Sequence, residues 1–197
     1  SVVKPKETVL LQSFTCSAVC YPFLIHNRKV LYSDISPKTF NLEFSTSENL
    51  LKKANYLLIQ YNFGIIPESL DQLLKFVRQN NLILIEDLAH SFGLDYKGKP
   101  LGSFGDFVVL SFGRDKVVSS VIGGALLVRN KRFLPKIKEE YKKLRAFPFR
   151  KKLQIIFYLL FMLSVRPFYG LKISRIKIFF LQKLGLLPKV VTEEEKK

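Results

Sequence analysis

Short apolar runs alternate with helical patterns along the first 130 residues of this 197-residue chain, and few folds tolerate that order. Val9, Leu10 and Leu11 read as a strand, and a helical stretch follows over residues 17–25. A second strand over 29–32 ends at Asp34. A short helix is expected over 47–53, with Ser47 or Thr46 as its cap. Residues 56–60 form a third strand. Over 67–79, Leu70, Leu73, Leu74 and Val77 repeat with the period of a helix, and Pro67 stands near its start. Strands over 82–85, 107–110 and 124–128 complete the series, the last after the Gly123-Gly124 turn. The stretch 96–106 is polar and rich in turn residues, and reads as an ordered loop. Strands that alternate with helices pair in parallel, because each crossover returns the chain to the same end of the sheet. The expected fold class is therefore α/β, a mainly parallel sheet flanked by helices.

A chain of this length can bury the core of one domain, or of a domain with an appendage. Its 48% hydrophobic and 13% aromatic residues argue against disorder. Cys16 and Cys20, four apart in an apolar stretch, fall on one helix face and read as buried small hydrophobes in a reducing compartment. Neither belongs to a CxxC pair or a zinc set. The sequence opens on Ser1 without a basic-then-apolar leader, so no signal peptide is expected. Lys4-Pro5-Lys6-Glu7 leads directly into a strand, as if the sequence began inside a domain.

The net charge of +16 is concentrated at one end. Residues 1–130 carry 14 basic and 11 acidic side chains, whereas residues 131–197 carry 18 and 5. The expected division is thus an α/β domain over 1–130 and a basic, apolar helical extension over 131–197. Within the extension a basic helix is expected over 131–147, with Phe133, Ile137, Tyr141 and Leu144 as its apolar stripe. Residues 153–163 carry no charge, but fall short of the ~20 residues that a membrane span needs. Arg166-Pro167 ends that run. A second basic-apolar segment covers 171–187, and the charged tail 192–197 is expected to fray. Basic residues interleaved with Phe, Ile and Leu suit peripheral contact of residues 131–190 with an anionic membrane surface. The alternative is that these faces dock on other parts of the domain or on a partner subunit. Nucleic acid is not an expected partner, because the basic residues alternate with aliphatics rather than exposed aromatics.

Two strand ends carry the candidate chemistry. One apolar run ends in Glu86-Asp87-Leu88-Ala89-His90, the other in Ser111-Phe112-Gly113-Arg114-Asp115-Lys116. An acid at a strand end is usually a cap or a loop ion pair, and a lysine is usually a solvated surface group. Here both follow buried strands, and ligands of open α/β sheets bind beyond the carboxyl ends of the strands. Asp87 and His90 share one short loop. Ser111 and Lys116 bracket a tight turn, where a hydroxyl and loop amides can receive a phosphate and glycines allow close backbone approach. A lysine in a partly desolvated pocket becomes an amine nucleophile. Arg114 could add positive charge near the phosphate, and Asp115 could hold the loop. An aspartate and a lysine placed this way are the groups a pyridoxal phosphate site requires.

With those residues in order, the chain resembles the DegT/DnrJ/StrS-type family of pyridoxal phosphate-dependent sugar aminotransferases, which have the type I aminotransferase fold. Ile85-Glu86-Asp87-Leu88-Ala89-His90 is similar to the family's acid-bearing strand end. Tyr96-Lys97-Gly98, Gly102-Ser103-Phe104-Gly105-Asp106 and the run from Ser111 through Lys116 to Gly123-Gly124 follow at the family's spacing. Ser13-Phe14-Thr15, Asp34-Ile35 and Phe63-Gly64 precede them in the right order. The likeness covers roughly residues 5–130, and several spaced motifs agree.

The resemblance implies that Asp87 pairs with the pyridine nitrogen, His90 lies near the phenolic oxygen and Ser111 binds the phosphate. It implies that Lys116 forms the internal aldimine and later shuttles a proton between Cα and C4′. It also implies glutamate as amino donor, a keto sugar nucleotide as acceptor, and a homodimer working in polysaccharide biosynthesis. The location expected is the cytoplasm, with the inner membrane surface as the alternative. Cys16 stands where the family carries an aromatic residue that stacks on the cofactor ring, and Gln12 where it carries a proline. The family's N-terminal phosphate-binding segment and C-terminal small domain have no counterpart in the sequence. The expectation is therefore the central, cofactor-binding part of an aminotransferase. The alternative is a truncated, non-catalytic paralogue that keeps the fold for binding or dimerisation.

Overall fold

The computed structural model describes residues 6–144, 146, 148–165, 178–180 and 183. The chain divides into two compact units, Ser1–Lys143 and Leu144–Lys197. In the first unit short apolar runs become five-residue strands: β1 (Thr8–Gln12), β2 (Lys29–Ser33), β3 (Tyr56–Gln60) and β4 (Ile83–Asp87). A two-stranded hairpin, β5 (Asp95–Tyr96) and β6 (Lys99–Pro100), occupies the stretch read as a loop, because Lys97 and Gly98 take up the positive φ that a tight turn needs. Strands β7 (Phe107–Ser111) and β8 (Gly124–Val128) follow.

The main sheet runs in the order β2-β1-β3-β4-β7-β8 and is parallel throughout, except that β8 returns antiparallel to β7. After β2 the chain crosses back over β1, so the sheet has its topological switch point between β1 and β3, the place where a ligand crevice opens. The glycine pair serves the return strand. A Cβ at Gly124 would lie 2.5 Å from the Leu110 carbonyl oxygen, so the close approach is to the backbone of β7 rather than to a ligand.

The two faces of the sheet are covered differently. On one, Leu10, Leu57, Ile59, Leu84, Val108 and Leu110 pack against helices α2 (Phe44–Leu51) and α3 (Leu70–Gln79) in a closed core. On the other, Val9, Leu11 and Leu58 are covered by α1 (Ser17–Leu24) through Val19, Cys20 and Phe23. That cover stops short of β7 and β8, where Val109 is 37% and Leu126 47% exposed.

Helix α2 starts three residues before the expected Ser47. The Phe44 N–H donates to Ser69 Oγ at 2.9 Å, so its amino end is satisfied by a residue distant in sequence. Ser47 and Thr46 sit inside the helix and donate to the Glu43 carbonyl at 2.6 and 3.2 Å. The cysteines also depart from expectation. Cys16 precedes α1 and is exposed, and Cys20 is half-buried, because α1 presents no fully buried side chain.

The basic segment after β8 forms a 3-10 turn (Lys131–Phe133) and α4 (Leu134–Lys142), both within the sheet unit. Of its expected stripe, Phe133 packs on Phe107 at 5.0 Å between ring centroids, while Tyr141 and Leu144 are exposed. In the second unit the uncharged run lies inside α5 (Phe149–Val165). Among the described residues no helix is long and apolar enough to cross a membrane. The segment 171–187 falls outside the described residues except at 178–180 and 183, and the tail 192–197 falls outside them entirely.

Candidate cofactor site

Strand register decides which side chains meet. Gln60 pairs with Asp87, and Asp87 with Val109, so these three form one row across β3, β4 and β7 on the partly covered face. Ser111 stands two residues beyond Val109, and so on the same face, at the carboxyl end of β7. The row borders a cavity of about 480 Å³ that also reaches Cys16, His90 and Lys116. Tertiary structure thus brings Asp87, His90, Ser111 and Lys116 to one cavity. Arg114 is not in its lining, and neither is Asp115, whose exposed carboxylate pairs with the Lys116 amine at 2.9 Å.

Asp87 is buried and tightly held. Its Oδ1 accepts from the Ala89 N–H at 3.0 Å, and its Oδ2 accepts from Gln60 Nε2 at 3.1 Å. Thr15 Oγ1 donates to Gln60 Oε1 at 2.5 Å, which fixes the amide with its NH₂ towards Asp87. Burial pushes the Asp87 carboxyl above the usual range. The Ala89 N–H and Gln60 amide, then the His90 and Lys116 charges, pull the other way.

Lys116 keeps 16% of its side chain exposed, and its Nζ lies 3.2 Å from His90 Nε2. Phe63 stacks on the His90 imidazole, with ring centroids 6.1 Å apart and an interplanar angle of 20°. Phe63 itself has φ of 58°, a left-handed backbone that a non-glycine residue adopts at some cost. The Lys116 N–H donates to the Gly113 carbonyl at 3.1 Å and so closes the turn that carries the amine back towards the cavity. Lys116 lowers the Asp115 carboxyl below the ordinary range, chiefly by donating a hydrogen bond to it.

Two supporting residues were not read from the sequence. Gln60 orients Asp87, and its only signal was a polar residue closing an apolar run, as Asp87 closes the next one. Glu86 faces the opposite side of β4 and is fully buried. Its carboxylate accepts from the Tyr61 hydroxyl (2.9 Å) and from the N–H groups of Gly102 (3.0 Å), Phe104 (2.9 Å) and Gly105 (2.6 Å). The three backbone bonds tie the loop before β7 to β4, and the Tyr61 hydroxyl ties in the segment that follows β3.

The residues present fit pyridoxal phosphate: a buried carboxylate for a ring nitrogen, a partly desolvated amine, and a strand-end hydroxyl beside a turn. The fold is that of part of the pyridoxal phosphate-dependent type I aminotransferase class. The chain belongs to the DegT/DnrJ/EryC1/StrS aminotransferase family, which its residues 1–157 match.

Among curated proteins it is 30% identical over 135 residues to the UDP-4-amino-4,6-dideoxy-N-acetyl-beta-L-altrosamine transaminase of Campylobacter jejuni, covering 68% of this chain and 36% of that one. It is 30% identical over 125 residues to GDP-perosamine synthase of Caulobacter vibrioides, covering 63% and 33%. Among solved structures it resembles DesI, determined in the presence of its TDP-sugar product, with a TM-score of 0.60 at 28% identity over 68% of this chain and 34% of that one. The chain spans about a third of the length of the curated relatives it matches.

Proposed function

We propose that this chain carries the cofactor-binding part of an aminotransferase that moves an amino group from glutamate to a keto sugar borne on a nucleotide. The observation that supports this most strongly is the meeting of Asp87, His90, Ser111 and Lys116 around one cavity at the carboxyl ends of β4 and β7. Bound pyridoxal phosphate would supply an electron sink for the carbon that loses its proton. Asp87, immobilised by Gln60 and the Ala89 N–H, offers a fixed carboxylate to a protonated ring nitrogen. The Ser111 hydroxyl and the turn amides that follow it suit the phosphate. Lys116 would provide the amine that attaches the cofactor and, once released, would carry a proton between the substrate Cα and the cofactor C4′. His90, with its Nε2 3.2 Å from that amine, would orient it and would be the residue for the cofactor's phenolic oxygen. The names of the relatives support an acceptor that is a nucleotide sugar.

The test is covalent trapping. Full chain incubated with pyridoxal phosphate, reduced with borohydride and digested should carry the cofactor's mass on the peptide holding Lys116. Lys116→Ala should lose that mass with an unchanged circular dichroism spectrum. Label retained by the variant would overturn the assignment.

A second reading, a non-catalytic paralogue used for dimerisation, draws on the open apolar half of the same sheet face at Val109 and Leu126. Sedimentation separates the two. A stable dimer that takes up no cofactor favours the second, and trapping on Lys116 favours the first.

A further inference from the structure

The uncharged run within α5 is neither a membrane span nor an ordinary solvated helix. The 17 residues of α5 extend about 25 Å, short of a bilayer's ~30 Å hydrocarbon core. At 100° per residue, Phe149, Leu153, Ile156, Phe157, Leu160 and Leu163 occupy one arc of about 120°. All six are exposed, Phe149 at 73% and Leu163 at 66%. The half-buried Gln154, Ile155, Tyr158, Phe161 and Met162 lie on the opposite side. A soluble helix shows the reverse pattern, with its apolar stripe covered and its charges outward.

The charges of α5 are confined to its first turn, where Arg150, Lys151 and Lys152 are all exposed and no acidic residue stands among them. That turn is the positive end of the helix dipole, where cations are unfavourable and anions welcome. A layer of anionic groups would relieve this clustering while the apolar arc leaves water. The sequence that follows repeats the pattern, with Lys172, Arg175, Lys177 and Lys183 set among Ile, Leu and Phe. The family match ends at residue 157, inside α5, so it includes Phe149, Leu153, Ile156 and Phe157 while Leu160 and Leu163 lie beyond it.

We infer that α5 is a peripheral anchor, its exposed apolar arc entering the acyl edge of an anionic bilayer while its basic first turn sits among the lipid headgroups. This does not depend on the aminotransferase reading, since α5 lies in the second unit and the cofactor cavity in the first. The chemistry combines area burial with charge attraction, as in other interfacial helices.

Flotation of the full chain with phosphatidylcholine vesicles, with and without phosphatidylserine, tests it. Partition should be at least about tenfold stronger with the anionic lipid, and raised salt should weaken it. Arg150→Glu with Lys152→Glu should lower partition by at least about thirtyfold, at roughly a fivefold loss per basic residue removed from the surface. Leu160→Asp with Leu163→Asp should abolish it. Because the Asp pair could unfold α5, a fluorescent reporter gives an independent reading. The chain contains no tryptophan, so the indole of Phe157→Trp, excited at wavelengths that tyrosine does not absorb, should shift to the blue only with anionic vesicles. Equal binding to neutral vesicles, no binding to either, or self-association broken by the Asp pair without any vesicle effect would each overturn the anchor.

Discussion

The two faces of the main sheet are built from the same strands and do opposite work. On the closed face, Leu57, Leu84, Val108 and the buried Glu86 are sealed under α2 and α3. On the other, Ile85, Asp87 and Val109 alternate with them along the same strands and border a cavity that α1 covers only in part. A strand turns successive side chains to opposite faces, so one residue's shift separates structure from chemistry. Neighbouring acids make the contrast sharpest. Glu86 receives four hydrogen bonds and ties a loop down, whereas Asp87 receives two and faces open space.

If that division holds, damage to the closed face should cost stability and damage to the open face should cost function. Glu86→Ala, which orphans a hydroxyl and three backbone donors, should destabilise by about 4 kcal/mol in urea titration. A loss below about 1 kcal/mol would show that water replaces the carboxylate. Leu84→Ala should cost about 3 kcal/mol, through lost transfer energy and the cavity left behind.

Asp87→Asn should act with the opposite sign. Burial raises the folded carboxyl's pKa, so from the ordinary carboxylate range upward the folded chain binds its proton more tightly than the unfolded chain. Stability then falls as pH rises through that window, until the folded group too has ionised. The Asn variant should lose this slope and be the more stable chain at neutral pH, while binding pyridoxal phosphate more weakly. A variant with unchanged slope would refute the buried-charge account. The smallest effect belongs to Val109→Ala on the open face, at under about 1 kcal/mol, because the side chain is already 37% exposed.

Much of this was legible before any coordinates. Short apolar runs set between turn residues and alternating with helical patterns read as strands, and the β1–β4 and β7 runs appear where expected. Family membership followed from spaced motifs, of which Asp87 and Lys116 are the chemical core. Contacts made across the chain escaped. The α2 boundary depends on Ser69, 25 residues from Phe44. The Gln60 amide looked like the mere end of a run until register set it against Asp87. His90 and Lys116 are 26 residues apart, and nothing local predicts their 3.2 Å approach. Cys16 read as a core residue because its neighbours are apolar, yet α1 only skirts the cavity.

The sequence by itself determined the order of strands and helices, the parallel sheet and the family, since periodicity and motif spacing are written within a few residues of each position. Tertiary structure alone decided that Gln60 holds Asp87, that Glu86 fastens the loop before β7, and that the apolar arc of α5 faces outward. Those outcomes depend on strand register and on which surfaces other elements leave uncovered, and both are properties of the assembled chain.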